Sequence, residues 1–295
     1  MNELFAAEPS SCDSAMELKV MLSSFGPFTG RYLAKYPSLW ESGVYKQFDA
    51  WPEVEAKRAR ATLSRAKQEL ALVPSDGRGF DAKLSWIENL EKVQRSGAPF
   101  DGVIVSRAAS KTGEYPSIEE FEVPPTAGVR IPATAGAYAR ASGILLYKSY
   151  ELHFIDPYFD AIQSARRDVL QEMLTVAAKG RAKGAWIWAR ADRIGPDARK
   201  MCSEILRISE KSGFSLGRSL TLRVVNSQID HTRLHDRYLL SLYGAIRFEH
   251  GFQALSGGRT ASVEPVSRDI HAELVTNFLE CESSASWFID YTIHV

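Results

Sequence analysis

From Glu151 onward the spacing of apolar residues switches repeatedly between short runs and helical stripes, and each switch marks an element. Glu151 to Asp156 (ELHFID) is a strand-forming run closed by Asp156-Pro157. Gln163 to Lys179 carries Val169, Met173 and Val176 on one stripe with Leu170, Leu174 and Ala177 beside it, which predicts a helix. Ala185 to Ala189 (AWIWA) is a second strand. Asp197 to Ser212 is a second helix, with Ala198, Met201, Cys202, Ile205 and Ile208 inward, entered through Gly195-Pro196 and stopped by Gly213. Leu220 to Val225, His235 to Leu242 and Ala245 to Phe248 read as three further strands, the last two joined at Tyr243-Gly244. Arg268 to Glu280 closes the series helically through Ile270, Leu274 and Phe278. Strand–helix–strand–helix–strand predicts an α/β fold with a mixed, mostly parallel sheet flanked by helices and a terminal hairpin.

The first half reads less regularly. The first fifteen or so residues lack periodicity and are expected to fray, and Glu17 to Ser24 (ELKVMLSS) is assigned as a strand. An aromatic-rich stretch follows, with Phe25, Phe28, Tyr32, Tyr36, Trp40, Tyr45, Phe48 and Trp51, whose large apolar area argues for core packing. Val54 to Leu72 is helical through Ala59, Leu63, Ala66 and Leu70, with a charged opposite face. A second helix runs near Ala82 to Gln94 and stops at Gly97, and Phe100 to Ser106 is a strand. Ala108 to Ala135 is polar and Pro-rich, a long loop, and Tyr138 to Lys148 is a short helix. The expected division is an N-terminal α/β region over 1–135 and a second domain over 136–295.

Composition narrows the function classes. Thirty-six basic residues cancel thirty-six acidic ones, so no global charge favours nucleic acid or a membrane surface, although a local basic groove is compatible with that balance. Cys12, Cys202 and Cys281 are scattered without CxxC or zinc spacing, which fits a reducing compartment. The N-terminus lacks a signal-peptide pattern and no apolar run is long enough to span a membrane, so a cytoplasmic protein is expected. The six histidines show no metal-ligand spacing, and Ser256-Gly257-Gly258-Arg259 lacks the context of a phosphate loop. No metal and no cofactor are expected.

The candidate chemistry lies at His235-Asp236-Arg237. Two residues apart on a strand, His235 and Arg237 leave the same face. Imidazole attacks phosphorus or moves a proton, and guanidinium forks onto phosphate oxygens. Asp156-Pro157-Tyr158-Phe159-Asp160 follows the first strand of this half, where the carboxyl ends of parallel strands line a ligand crevice. Asp156 or Asp160 is therefore a candidate to orient an imidazole, the alternative being that Asp156-Pro157 is simply a strand-ending turn, and Tyr158, Asp160, Arg237 and Glu249 are candidate ligand contacts. His250, beside Glu249, is either a general acid in the same pocket or a structural histidine paired with that carboxylate.

This order of elements, ending in a strand with an H-x-basic pair, resembles one half of the phospholipase D superfamily, over roughly Tyr150 to Cys281. In that family the motif is His-x-Lys with a later Asp and a Gly-Ser-x-Asn stretch on the next strand, the His is the nucleophile, and two motifs meet at one site. The resemblance puts His235 at the nucleophile and Arg237 at the lysine. The Asp position holds Leu242, and Glu249-His250-Gly251-Phe252 replaces the Gly-Ser-x-Asn stretch. A His-Asp-Arg motif preceded by Asp-Pro-Tyr is also similar to the phospholipase D-like C-terminal domains of microtubule-interacting-and-transport proteins, which are binding modules. Two readings follow. One is a metal-independent phosphodiesterase, with nucleases among its forms and bacterial antiviral defence or DNA processing as its setting by analogy. Its second motif would come from a homodimer partner, because isologous contacts bring like residues together. The other is a catalytically inactive module binding a phosphate-bearing ligand (nucleic acid or lipid) or a protein partner. The N-terminal half is either a degenerate phospholipase D-like half or a separate module.

Overall fold

A computed structural model describes residues 3–75, 77–111, 113–123, 128–194, 198–215, 217–226, 235–280 and 288–294. His231 and Cys281 fall outside the described residues. The chain is mixed α/β and divides into two compact units, Asn2–Thr126 and Ala127–Val295.

The first unit is built on β1 (Glu3–Ala7), α1 (Ala15–Ser23), β2 (Arg31–Lys35), α2 (Trp40–Phe48), α3 (Glu53–Gln68), β3 (Leu72–Pro74), α4 (Trp86–Gln94), β4 (Gly102–Ile104) and α5 (Arg107–Ser110). Its four strands are all parallel in the order β3-β2-β1-β4. Phe5, Ala7, Leu33 and Ile104 join a core with Leu18, Leu63 and Trp40 from the helices, while Ala6, Ala34 and Val103 pack with Leu90 and Val93 of α4. A parallel sheet covered on both faces needs continuous apolar runs rather than alternation, as Phe5-Ala6-Ala7 provides. The expected fraying of the N-terminus is therefore corrected, because Glu3–Ala7 is a central strand.

Glu17 to Ser24 is likewise not a strand but most of α1. Ser14 caps that helix by accepting from Glu17 N at 3.2 Å, and the Glu17 carboxylate accepts from Asp13 N at 2.8 Å. Buried Ala15, Leu18, Met21 and Leu22 then keep helical spacing. A full capping box at Ser85 and Glu88 starts α4 four residues later than expected.

The second unit comprises β5 (Val129–Pro132), α6 (Ala135–Ala141), α7 (Gly143–Lys148), β6 (Glu151–Ile155), α8 (Ser164–Ala178), β7 (Gly184–Arg190), α9 (Ala191–Ile194), α10 (Ala198–Ser212), β8 (Ser219–Val225), β9 (Tyr238–Ser241), β10 (Gly244–Phe248), β11 (Thr260–Pro265), α11 (Arg268–Leu274) continued by a π-helical turn over Val275–Leu279, and β12 (Phe288–His294). One eight-stranded sheet runs β12-β8-β7-β6-β9-β10-β11-β5. It is parallel through β6, β7 and β8 and antiparallel at every other pairing. The long loop expected before residue 135 contains β5, which pairs with β11, so the division between units falls near Thr126. Leu152, Phe154, Ile187, Leu220 and Leu222 face Val169, Leu170 and Met173 of α8 and Met201, Ile205 and Ile208 of α10. Ile155, Trp188, Val225, Tyr238 and Leu240 pack on the other side with Leu274 and Phe278.

Candidate functional site

The parallel strand β6 ends at Ile155, and its antiparallel neighbour β9 begins beside it, Ile155 facing Tyr238. Beyond that pair the chain leaves the sheet on both sides. Asp156 starts a turn after β6, and residues 235–237 precede β9. The strand expected from His235 therefore starts at Tyr238, because Asp156-Pro157 takes away the ladder partner that would extend it. Arg237 keeps one sheet-like bond, its carbonyl accepting from Phe248 N at 3.0 Å.

Asp156 organises this corner. Its side chain is buried, with Oδ1 accepting from Tyr158 N at 2.9 Å and Oδ2 from Phe252 N at 3.1 Å. Arg166 Nη1 lies 3.6 Å from Oδ2. Burial pushes the Asp156 carboxyl above the usual carboxylate range, opposed by the Tyr158 N–H, the Arg166 guanidinium, the Phe252 N–H and Arg237. Both oxygens are thus committed to the backbone of two loops. Asp156 acts as a loop organiser, and the role of orienting an imidazole goes unsupported, since no contact between Asp156 and His235 occurs among the described residues.

Arg166, from the first turns of α8, ties the same loops together. It donates to the Tyr158 carbonyl, to Gln253 Oε1 at 3.1 Å and to Gln163 Oε1 at 3.2 Å. Arg237 stands over the Tyr158 ring, 5.0 Å from its centroid, and donates to the Glu249 carbonyl at 3.2 Å. A stacked guanidinium with one donor engaged keeps donors for an anion while its plane is held in place. The structure thus brings together Asp156, Tyr158, Arg237 and the Glu249–Phe252 turn.

The remaining predicted residues divide around this centre. His235 is exposed on the loop two residues before Arg237. His250 lies in the exposed turn after β10 rather than in a strand, with Nε2 3.8 Å from Glu249 Oε2. The Glu249 carboxylate accepts from Ser262 N at 2.9 Å, and that bond lowers its pKa. Asp160 accepts from Ile162 N at 2.9 Å and Gln163 Nε2 at 3.1 Å, shaping the approach to α8 and not the Arg237 cluster. Among the described residues, no group of three His, Cys, Asp or Glu side chains is placed to hold a metal ion.

Sequence reasoning missed two members of the corner. Arg166 reads as one more solvated helix cation, next to Arg167, and only its spacing from Asp156-Pro157 hints otherwise. Gly251 has φ +67°, and a Cβ there would lie 2.3 Å from Asp156 Oδ2 and 3.1 Å from Arg237 Cγ, so the turn needs glycine for both backbone and space. An adjoining polar cluster also escaped notice. On the sheet face of Trp188, Arg223 pairs with both oxygens of Asp290 at 2.6 Å and stacks on Trp188 and Phe288. Buried His153 accepts from Trp188 Nε1 at 3.1 Å and stacks on Trp186 at 4.7 Å.

No family model matches the chain, and no curated protein matches it. Among solved structures, it is similar to that of TrmBL2, described as an archaeal chromatin protein with a novel mode of DNA binding, at 13% identity and a TM-score of 0.30 over 80% of this chain and 84% of that one. A likeness at that level carries no argument about this protein. No described helix is long and apolar enough to cross a membrane.

Proposed function

We propose that the second unit binds a phosphate-bearing ligand at Arg237, on a scaffold resembling half of a phospholipase D-like fold. The observation that carries this reading is the immobilised guanidinium. It is stacked on Tyr158 and fixed to the Glu249 carbonyl at the corner where β6 ends and β9 begins. His235 and His250, exposed on the two loops flanking Arg237 in sequence and in its Glu249 contact, supply further donors to phosphate oxygens.

A second reading is hydrolysis, with His235 as nucleophile. Exposure of His235 two residues from the anion-binding cation favours it, and the engagement of Asp156 elsewhere weighs against it, because a nucleophilic imidazole is ordinarily oriented by a carboxylate. Nucleic acid and lipid headgroups are both candidate sources of the phosphate.

The test uses the full chain with inorganic phosphate, a single-stranded oligonucleotide and vesicles carrying anionic lipid. Arg237→Ala is expected to weaken binding by about 10- to 100-fold, the loss of one or two charge-assisted hydrogen bonds, while Arg237→Lys retains part of the affinity. Titration calorimetry gives the binding, and hydrolysis of a chromogenic phosphodiester in EDTA gives the chemistry. Turnover in EDTA that is abolished by His235→Ala would establish the nucleophile. Binding without turnover in either protein leaves the binding module. Phosphate affinity unchanged in Arg237→Ala refutes the site.

A further inference from the structure

The eight-stranded sheet ends in two edges that differ sharply. At one edge β5 is four residues long, contains Pro132, which has no N–H to offer, and carries Arg130. Those features discourage a further strand from pairing. At the other edge β12 is a seven-residue strand, Phe-Ile-Asp-Tyr-Thr-Ile-His, without Pro, Lys or Arg. Among the described residues it is hydrogen-bonded only to β8. Its one carboxylate, Asp290, is already neutralised by Arg223. Ile289 is nonetheless 61% exposed, a large apolar side chain beside an edge to which no other described strand pairs. Edges of this length and composition are templates for another strand.

We infer that β12 pairs antiparallel with β12 of a second copy of this chain, about a two-fold axis at Tyr291. The sequence of the strand selects that partner and register. Reflected about Tyr291, Ile289 faces the partner's Ile293, Asp290 faces the partner's Thr292 and Tyr291 faces its own copy. No like charges oppose each other. Every pair also lies on one face of the sheet, because Ile289, Tyr291 and Ile293 match Val224, Leu222 and Leu220 of β8, whereas Asp290 and Thr292 match Arg223 and Thr221. The exposed Ile289 thereby gains an isoleucine opposite it. A single strand pair is a small interface, so the dimer is expected to dissociate on dilution.

This geometry differs from a dimer that joins two His235 side chains. Three ladder steps separate β12 from β6, and the two-fold axis reverses strand direction, so the two Arg237 corners open at opposite ends of the joined sheet. Each copy therefore keeps its own site, and the inference stands independently of what that site binds.

Sedimentation velocity over a dilution series, with the wild-type chain and Ile289→Lys, is the first test. The wild type is expected to show a monomer–dimer equilibrium, and Ile289→Lys to weaken it by roughly tenfold or more, because it sets a charge against the partner's Ile293. Thermal unfolding of the diluted monomer is expected to be unchanged, since the side chain is already largely in solvent. Cysteine cross-linking reads the register directly. In an antiparallel pair the two copies of residue 291 have Cα atoms about 4.5–5.5 Å apart, within disulfide range. Tyr291→Cys is expected to give a covalent dimer under mild oxidation, above the background of the native cysteines in the wild type. Ile289→Cys, facing Ile293, is not. A wild-type chain that stays monomeric at its highest concentration overturns the inference. So does a dimer that Ile289→Lys leaves intact, or equal cross-linking by the two cysteine variants.

Discussion

Gly251, Asp156 and Arg237 form a unit in which each position constrains the next. The Asp156 carboxylate reaches Phe252 N only because residue 251 lacks a Cβ, and the same gap admits Arg237 Cγ. Gly251→Ala is expected to lose stability in two ways. An L residue at positive φ costs about 1–2 kcal/mol, and the Cβ displaces Asp156 Oδ2, leaving a buried carboxylate short of a donor. The combined loss, about 2–5 kcal/mol on those magnitudes, is measurable as a lower urea midpoint at unchanged m-value. Because Arg237 is carried on the same corner, phosphate affinity is expected to fall as well. A variant of wild-type stability would show that the corner yields freely and that Arg237 is not held by it. At this scale the meeting of Asp156, Tyr158 and Arg237 was legible from the strand-end position of Asp-Pro-Tyr, whereas the same-face argument for His235 and Arg237 lapses because residues 235–237 precede β9 instead of lying in it. Arg166 was not, because nothing in a helix sequence distinguishes a cation that turns back onto a buried carboxylate from one in water.

At the scale of elements, the sheet face carrying His153, Trp188 and Arg223 sets a pH dependence. Burial, aided by the nearby Arg223 charge, lowers the His153 pKa to about 3 from an ordinary value of 6.5. Trp188 Nε1 donates to Nδ1, so a proton added there would displace a hydrogen bond and face Arg223. Asp290 stands across the ladder from Arg223 and is engaged with it. Between pH 6.5 and about 3 the unfolded chain binds a proton at this residue that the folded chain refuses. The stability is thus fully present above pH 6.5 and is lost as the pH falls through that window. At pH 5 the loss from this one group is about 2 kcal/mol relative to pH 7. His153→Gln retains an acceptor for Trp188 and removes the titration. Urea unfolding of both proteins at pH 7 and pH 5 is expected to show a smaller drop for the variant, and equal drops would assign the acid sensitivity elsewhere. His271, also held below its ordinary value by burial, contributes equally to both proteins and cancels.

The same scale explains which elements the sequence disclosed. Helices α8 and α10 repeat apolar residues every three or four positions and meet the sheet along that stripe, so period and packing agree. Strands β1 and β2 are short, alanine-containing and buried on both faces, which removes alternation and leaves no period to find. In α1, Leu18, Met21 and Leu22 hold helical spacing, but Val20 and the short length mimic a strand until the Ser14 and Glu17 caps are weighed. Strand β12 does alternate, through Ile289, Tyr291 and Ile293, but that short period lies beyond the helix expected to close the chain.

At the scale of the whole chain, the hydrophobic cores decide what can be separated. Two apolar clusters draw all their residues from the first unit, and the other two draw all of theirs from the second. Neither sheet includes a strand from the other unit once β5 is counted with β11. Each unit is of a size, roughly 125 to 170 residues, at which a single core suffices for independent folding. A fragment spanning 127–295 is therefore expected to unfold in one cooperative transition and to bind phosphate with the affinity of the full chain, since Asp156, Tyr158, Arg166, Arg237 and Gly251 all lie within it. A fragment begun at residue 136 instead deletes β5, exposes the edge of β11 and removes Ala133 from the core. That shorter fragment is expected to be less stable by about 2 kcal/mol or more, given the apolar burial and ladder bonds it loses. Denaturant curves of the two fragments, run beside calorimetric phosphate titrations of the longer one and the full chain, test both statements. Weaker phosphate binding by a well-folded 127–295 fragment would mean that the first unit supplies part of the site. Equal stability of the two fragments would mean that β5 is an appendage and that the unit closes at β11.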